Sequence, residues 1–94
     1  MLKEPLRPPQ AKAIIREILS SGEVTYSKPH AEERMMKWKL TTLDCVNVLR
    51  GGVVSDGEYE NGSWRYRVYT QRISVVVRFE AEDILQIVTA WREI

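Results

Sequence analysis

At 94 residues, 44% hydrophobic and 29% charged, the chain predicts one soluble domain built on a single modest core. A net charge of +1 excludes a bulk electrostatic pull toward nucleic acid, and a lone cysteine, Cys45, excludes an internal disulfide and a thiolate zinc site. No apolar run nears the roughly 20 residues that span a bilayer, and no basic-then-apolar leader opens the chain. A reducing, cytoplasmic setting is therefore expected, with no membrane, metal or cofactor.

Residues 1 to 8 carry Pro5 and Pro8 among polar residues and read as a flexible arm, leaving residues 9 to 94 as the domain. Pro9 suits the first turn of a helix. Ala11, Ile14, Ile15, Ile18 and Leu19 then recur with helical spacing until Gly22 stops them. "EVTYS", 23 to 27, alternates like a short strand. Ser27 precedes Lys28-Pro29 as an N-cap for a second helix. That helix puts Ala31, Met35 and Trp38 on one stripe and His30, Arg34 and Lys37 on the next.

Thr41 or Thr42 caps a third helix, with Asp44 in its first turn to complement the dipole. Its inward residues are Leu43, Val46 and Leu49, with Cys45 and Val48 flanking, and Arg50-Gly51-Gly52 ends it. Period-2 alternation takes over from there. "VVSDGEYE" leads to Asn61-Gly62, a strong hairpin signal, and "SWRYRVYTQ" returns. "ISVVVRF" and "ILQIVTAW" follow, apolar on both faces as central strands are. The expected fold is α+β, with N-terminal helices packed on an antiparallel meander.

Parity selects the chemistry on that sheet. Arg65, Arg67 and Tyr69 share one face of their strand, and Arg78 joins them because an unpaired arginine is costly to bury. Residues 41 to 94 contain no lysine, and all their cations are arginine, the side chain that holds phosphate bidentately. Arginines beside aromatics on a sheet suit RNA; a solvated sheet with paired arginines is the plainer alternative. No GxxxxGK[ST], GxGxxG or GxSxG motif occurs, and Cys45 falls on a core stripe. Metal-free RNA cleavage remains. His30 can serve it as acid or base, and Arg34, Arg67 and Arg78 can carry the phosphate charge.

"SKPHAEERMMKWKLTTLDCVNVLRGGVV" resembles the signature of a family of small bacterial domains. Its members read S-x-H-A-x-x-R-M, then a basic residue, then a helix with D-[VC]-x-x-[VA]-L, then a glycine before the sheet. They close on a strand similar to "IVTAW". That family resembles the motility quorum-sensing regulator toxins, whose L-x-x-G-x-V opening is matched here by "ILSSGEV". The resemblance spans residues 14 to 92 and implies a RelE-like, microbial-ribonuclease-like fold. It also implies a type II toxin that cleaves mRNA without metal, and a cognate antitoxin as partner, of the kind with a zinc-binding and a DNA-binding domain.

The resemblance adds Thr89 to a site whose catalytic members are His30, Arg34, Arg67 and Arg78. Lys37, Arg65, Tyr69, Thr89 and Arg92 are expected to bind substrate. The alternative is a non-catalytic RNA- or protein-binding module. Two departures stand out: one extra residue separates Ser27 from His30, and Trp91 replaces a tyrosine, whose hydroxyl an indole cannot supply. Strict alternation also turns Thr89 and Trp91 away from Gln86 and Arg92 unless a bulge intervenes.

Overall fold

The computed structural model describes residues 2–94. Among them, three helices pack on a six-stranded sheet in the order β1-β6-β5-β4-β2, with β3 pairing β4. The helices are α1 (Pro8–Ser21), α2 (His30–Lys37) and α3 (Thr42–Gly51). The strands are β1 (Glu23–Tyr26), β2 (Val53–Val54), β3 (Glu58–Glu60), β4 (Ser63–Tyr69), β5 (Ile73–Ala81) and β6 (Ile84–Arg92). The fold is α+β. The antiparallel meander holds from β3 to β6, with β2 also pairing β4, but β1 joins β6 in parallel, Glu23 beside Ile84 and Tyr26 beside Ile87, so the sheet is mixed.

The long strands form because period-2 alternation gives each a buried row. Tyr66 and Val68, Val75 and Val77, and Leu85 and Ile87 are fully buried on the inner face. Ala11, Ile15 and Ile18 of α1 meet them there, with Cys45, Val48 and Leu49 of α3. Burying a side chain of the Ile15 kind contributes roughly 1.5–3 kcal/mol. Burial pushes the Cys45 thiol up to about 11, with Asp44 adding to it, so it is a packing residue and a poor nucleophile.

Local signals set the boundaries. The Thr41 hydroxyl accepts from the Asp44 N–H at 3.1 Å, and the Asp44 carboxylate accepts from the Thr41 N–H at 2.9 Å, which makes a reciprocal cap. Asn61 and Gly62 take φ of 50° and 83°, the left-handed values a two-residue hairpin turn requires. Gly22 is needed for closeness rather than for φ. A Cβ there would lie 2.3 Å from the Asp83 carbonyl oxygen, where the end of α1 meets the β5–β6 turn.

Among the described residues of the expected arm, 2 to 8, some are built into the domain. Pro8 already belongs to α1, and Leu6 is buried. The Leu6 N–H donates to the Tyr66 hydroxyl at 2.9 Å, and that hydroxyl donates to Glu4 Oε2 at 2.8 Å. The phenol needs partners because Tyr66 is fully buried, and this segment supplies them. No helix among the described residues is long and apolar enough to cross a membrane.

Candidate functional site

Helices α1 and α3 cover one face of the sheet, and the other is built row by row from side chains of opposite parity. Arg67 of β4 lies opposite Val76 of β5, which lies opposite Thr89 of β6. One row over, Tyr69 faces Ser74 and Ser74 faces Trp91. In the other direction, Arg78 faces Gln86. Between the Val76–Thr89 and Val77–Ile87 pairs the register slips, leaving Val88 as an extra residue. The slip brings Gln86, Thr89 and Trp91 to the same face, which strict alternation forbids.

Ser27 explains how α2 reaches this face. Where β1 ends, the Ser27 N–H donates to the Ile87 carbonyl at 2.9 Å and its hydroxyl to the Val88 carbonyl at 2.8 Å. The same hydroxyl oxygen accepts from the Ala31 N–H at 3.2 Å, so Ser27 ties the first turn of α2 to the bulge, although the N-cap position itself is Pro29 and not the expected Ser27. Helix α2 then packs along β6 with Ala31 buried, which leaves His30 and Arg34 exposed at the rim.

A cavity of about 420 Å³ results, lined among others by His30, Arg34, Arg65, Gln86 and Thr89, with Glu60 on the hairpin side. Neither the His30 nor the Arg34 side chain has a hydrogen-bond or ion-pair partner among the described residues, so both can turn to a ligand. Arg65 presents a buried Nε with no partner. An unmatched guanidinium N–H is costly unless an acceptor arrives.

An adjoining cavity of about 390 Å³ shares Arg65, Thr89 and Glu60 with the first and adds Arg67, Trp91 and Glu58. Here Arg67 is stacked and paired. Its guanidinium lies 4.7 Å from the Tyr69 ring centre and 5.7 Å from that of Trp91. It donates to Ser74 Oγ and to Glu93 Oε2, both at 3.0 Å. Ser74 also donates to Glu93 by a short hydrogen bond, and Trp91 Nε1 donates at 2.9 Å. The Ser74 hydroxyl, with Trp91 and Arg67 helping, holds the Glu93 carboxyl below the usual carboxylate range.

The structure thus brings His30, Arg34, Arg65, Arg67 and Thr89 into one trough, with Tyr69 supporting Arg67. Arg78 sits beside it, its Nε donating to Gln86 Oε1 at 2.7 Å, so it reaches the first cavity through Gln86. Two expected binding residues lie elsewhere. Lys37 lines neither cavity and rests 5.4 Å from the Trp38 ring centre. Arg92 has inward parity, opposite Ile73, and donates to the Trp38 and Lys39 carbonyls at 2.7 and 3.1 Å. Those carbonyls end α2 and carry its partial negative charge, which explains the cation there.

Acids were missed. Arg65 and Arg67 share the second cavity with Asp56, Glu58 and Glu60, on or before β3, and Arg67 pairs with Glu93, so the arginine face carries acids as well. The opposition of Glu58 to Arg65 across β3 and β4 follows from the Asn61-Gly62 turn and was readable from it. Glu93 had no such signal. Searches against protein-family models, curated proteins and solved structures return no match to this chain.

Proposed function

We propose that this chain is a cytoplasmic type II toxin that cleaves mRNA by 2′-hydroxyl attack, without a metal. What supports the reading is that His30, Arg34, Arg65 and Thr89, from α2, β4 and β6, line one cavity. An RNA phosphate enters with its oxygens toward the guanidinium groups of Arg34 and Arg65. The 2′-oxygen attacks phosphorus, the bond to the 5′-oxygen breaks, and a 2′,3′-cyclic phosphate and a 5′-hydroxyl result. One proton leaves the 2′-hydroxyl and one reaches the 5′-oxygen. His30 of α2 and Glu60 of β3, which line the same cavity, are the groups that can exchange them. Arg34 and Arg65 stabilise the charge that grows on the phosphorane. A cognate antitoxin, of the kind with zinc-binding and DNA-binding domains, silences the enzyme by covering the trough.

The acidic wall of Asp56, Glu58 and Glu60 favours a second reading, a binding module without catalysis, because carboxylates repel a polyanion. Incubating the purified protein with RNA in EDTA tests both. The toxin reading expects cleavage that leaves cyclic phosphate ends and disappears in His30→Ala. Activity lost in EDTA and restored by Mg²⁺ overturns the metal-free mechanism; binding without cleavage favours the module.

A further inference from the structure

Glu93 Oε2 is bonded in a way a surface ion pair does not require. Arg67 Nη2 donates to it at 3.0 Å, Trp91 Nε1 at 2.9 Å, and Ser74 Oγ by a short bond, so all of these donors converge on one oxygen. Ser74 is the polar residue the sheet buries completely among those described, and its hydroxyl points at that oxygen. Arg67 is held independently of Glu93, by the rings of Tyr69 and Trp91 and by its own Nε bond to Ser74. Arg67 and Ser74 are therefore held in place before any acceptor arrives. Glu93 lies just past β6, with its backbone N–H donating to the Arg72 carbonyl at 2.7 Å. A rotation of its side chain empties the subsite without moving the backbone.

We propose that Arg67, Ser74 and Trp91 form an anion subsite for a phosphate group and that Glu93 occupies it as a built-in competitor. A carboxylate offers two oxygens and Glu93 uses one for these donors; a phosphate offers more acceptors of higher charge. The subsite borders the second cavity, into which Arg67 and Trp91 also face, so an incoming phosphate has a path to it. Occupancy of the subsite by a phosphate, whether free or in a nucleic-acid backbone, does not depend on RNA cleavage.

Titration calorimetry of the full chain with inorganic phosphate, and separately with a single-stranded oligodeoxynucleotide that lacks a 2′-hydroxyl, tests it. Glu93→Ala should bind at least one of the two about tenfold more tightly than the wild type, equivalent to about 1.4 kcal/mol. Tightening toward phosphate in solution identifies the free ion as a ligand; tightening toward the oligonucleotide alone identifies the backbone. Both gains should vanish in the Arg67→Ala/Glu93→Ala double variant. Glu93→Gln keeps the side chain's shape and an acceptor for Ser74 and Trp91, so it decides the matter should Glu93→Ala fail to fold. A folded Glu93→Gln or Glu93→Ala that binds neither ligand more tightly overturns the proposal, as does a gain that survives loss of Arg67.

Discussion

Gln86 and Thr89 lie three positions apart on β6 and still face the same cavity. An odd separation on a regular strand sends two side chains to opposite faces, so the extra residue, Val88, is what unites them. The bulge is bound in place by the Ser27 hydroxyl, which also accepts from the Ala31 N–H in the first turn of α2. One irregularity thus sets both the β6 side of the trough and the helix that carries His30 and Arg34.

Deleting Val88 should therefore be far worse than truncating it. Deletion restores alternation and drives Thr89 and Trp91 inward while Ala90, fully buried now, turns out. The expected result is loss of a cooperative thermal transition. Val88→Ala keeps the residue count and should melt cooperatively, within about 1.5 kcal/mol of the wild type. A well-folded deletion variant would show that the register, and with it the shared face, is set elsewhere.

Arg92→Ala separates the two faces of the same strand. Its guanidinium serves the carbonyls of Trp38 and Lys39 at the end of α2, a role worth about 0.5–1 kcal/mol. Denaturant unfolding should show that loss, with RNA affinity unchanged. A drop in affinity at constant stability would place Arg92 back among the binding residues.

Most of the fold was legible because its signals are local. The Thr41–Asp44 cap, the Asn61-Gly62 turn and the doubly apolar runs of the central strands each declare themselves within a few residues. The parallel β1–β6 pairing was not, since it depends on partners some sixty positions apart, such as Glu23 and Ile84. The bulge was legible only as a condition, because a slip in register is a property of two strands. Glu93 was invisible for the same reason: its partners Ser74 and Arg67 lie 19 and 26 positions away. Leu6 reads as arm in the sequence because nothing local reveals that the buried Tyr66 phenol will need its N–H.

Stability should fall in alkali, and Tyr66 should account for the upper part of the fall. Burial, with Glu4 adding to it and the Leu6 N–H opposing, pushes its phenol from 10.0 to about 12; burial likewise moves Cys45 from 9.0 to about 11. Both folded-state values are raised, so above pH 9 the unfolded chain binds fewer protons than the native one. Stability is then intact below about 9 and is lost as pH rises toward 12, Tyr66 contributing on the order of 2 kcal/mol. Denaturant melts at pH 8 to 11.5 should show the decline, and Tyr66→Phe should flatten its upper part. A Tyr66→Phe profile parallel to the wild type would refute the assignment.

His30 is the residue on which the proposed cleavage turns, and its exposure makes the test clean. The side chain has no hydrogen-bond partner among the described residues and is not part of the core, so His30→Ala should leave the melting temperature nearly unchanged. If the imidazole moves a proton in the reaction, the same change should slow cleavage by about 10²–10⁴-fold. Arg34→Ala should weaken both binding and turnover, and Arg34→Lys should restore only part of each, because lysine keeps the charge but not the planar fork. Arg65→Lys should behave alike for the same reason. Melting curves and cleavage rates taken on the same samples check all of these variants together. A His30→Ala protein that melts like the wild type and cuts RNA at an undiminished rate would remove the imidazole from the mechanism and leave the trough as a binding surface.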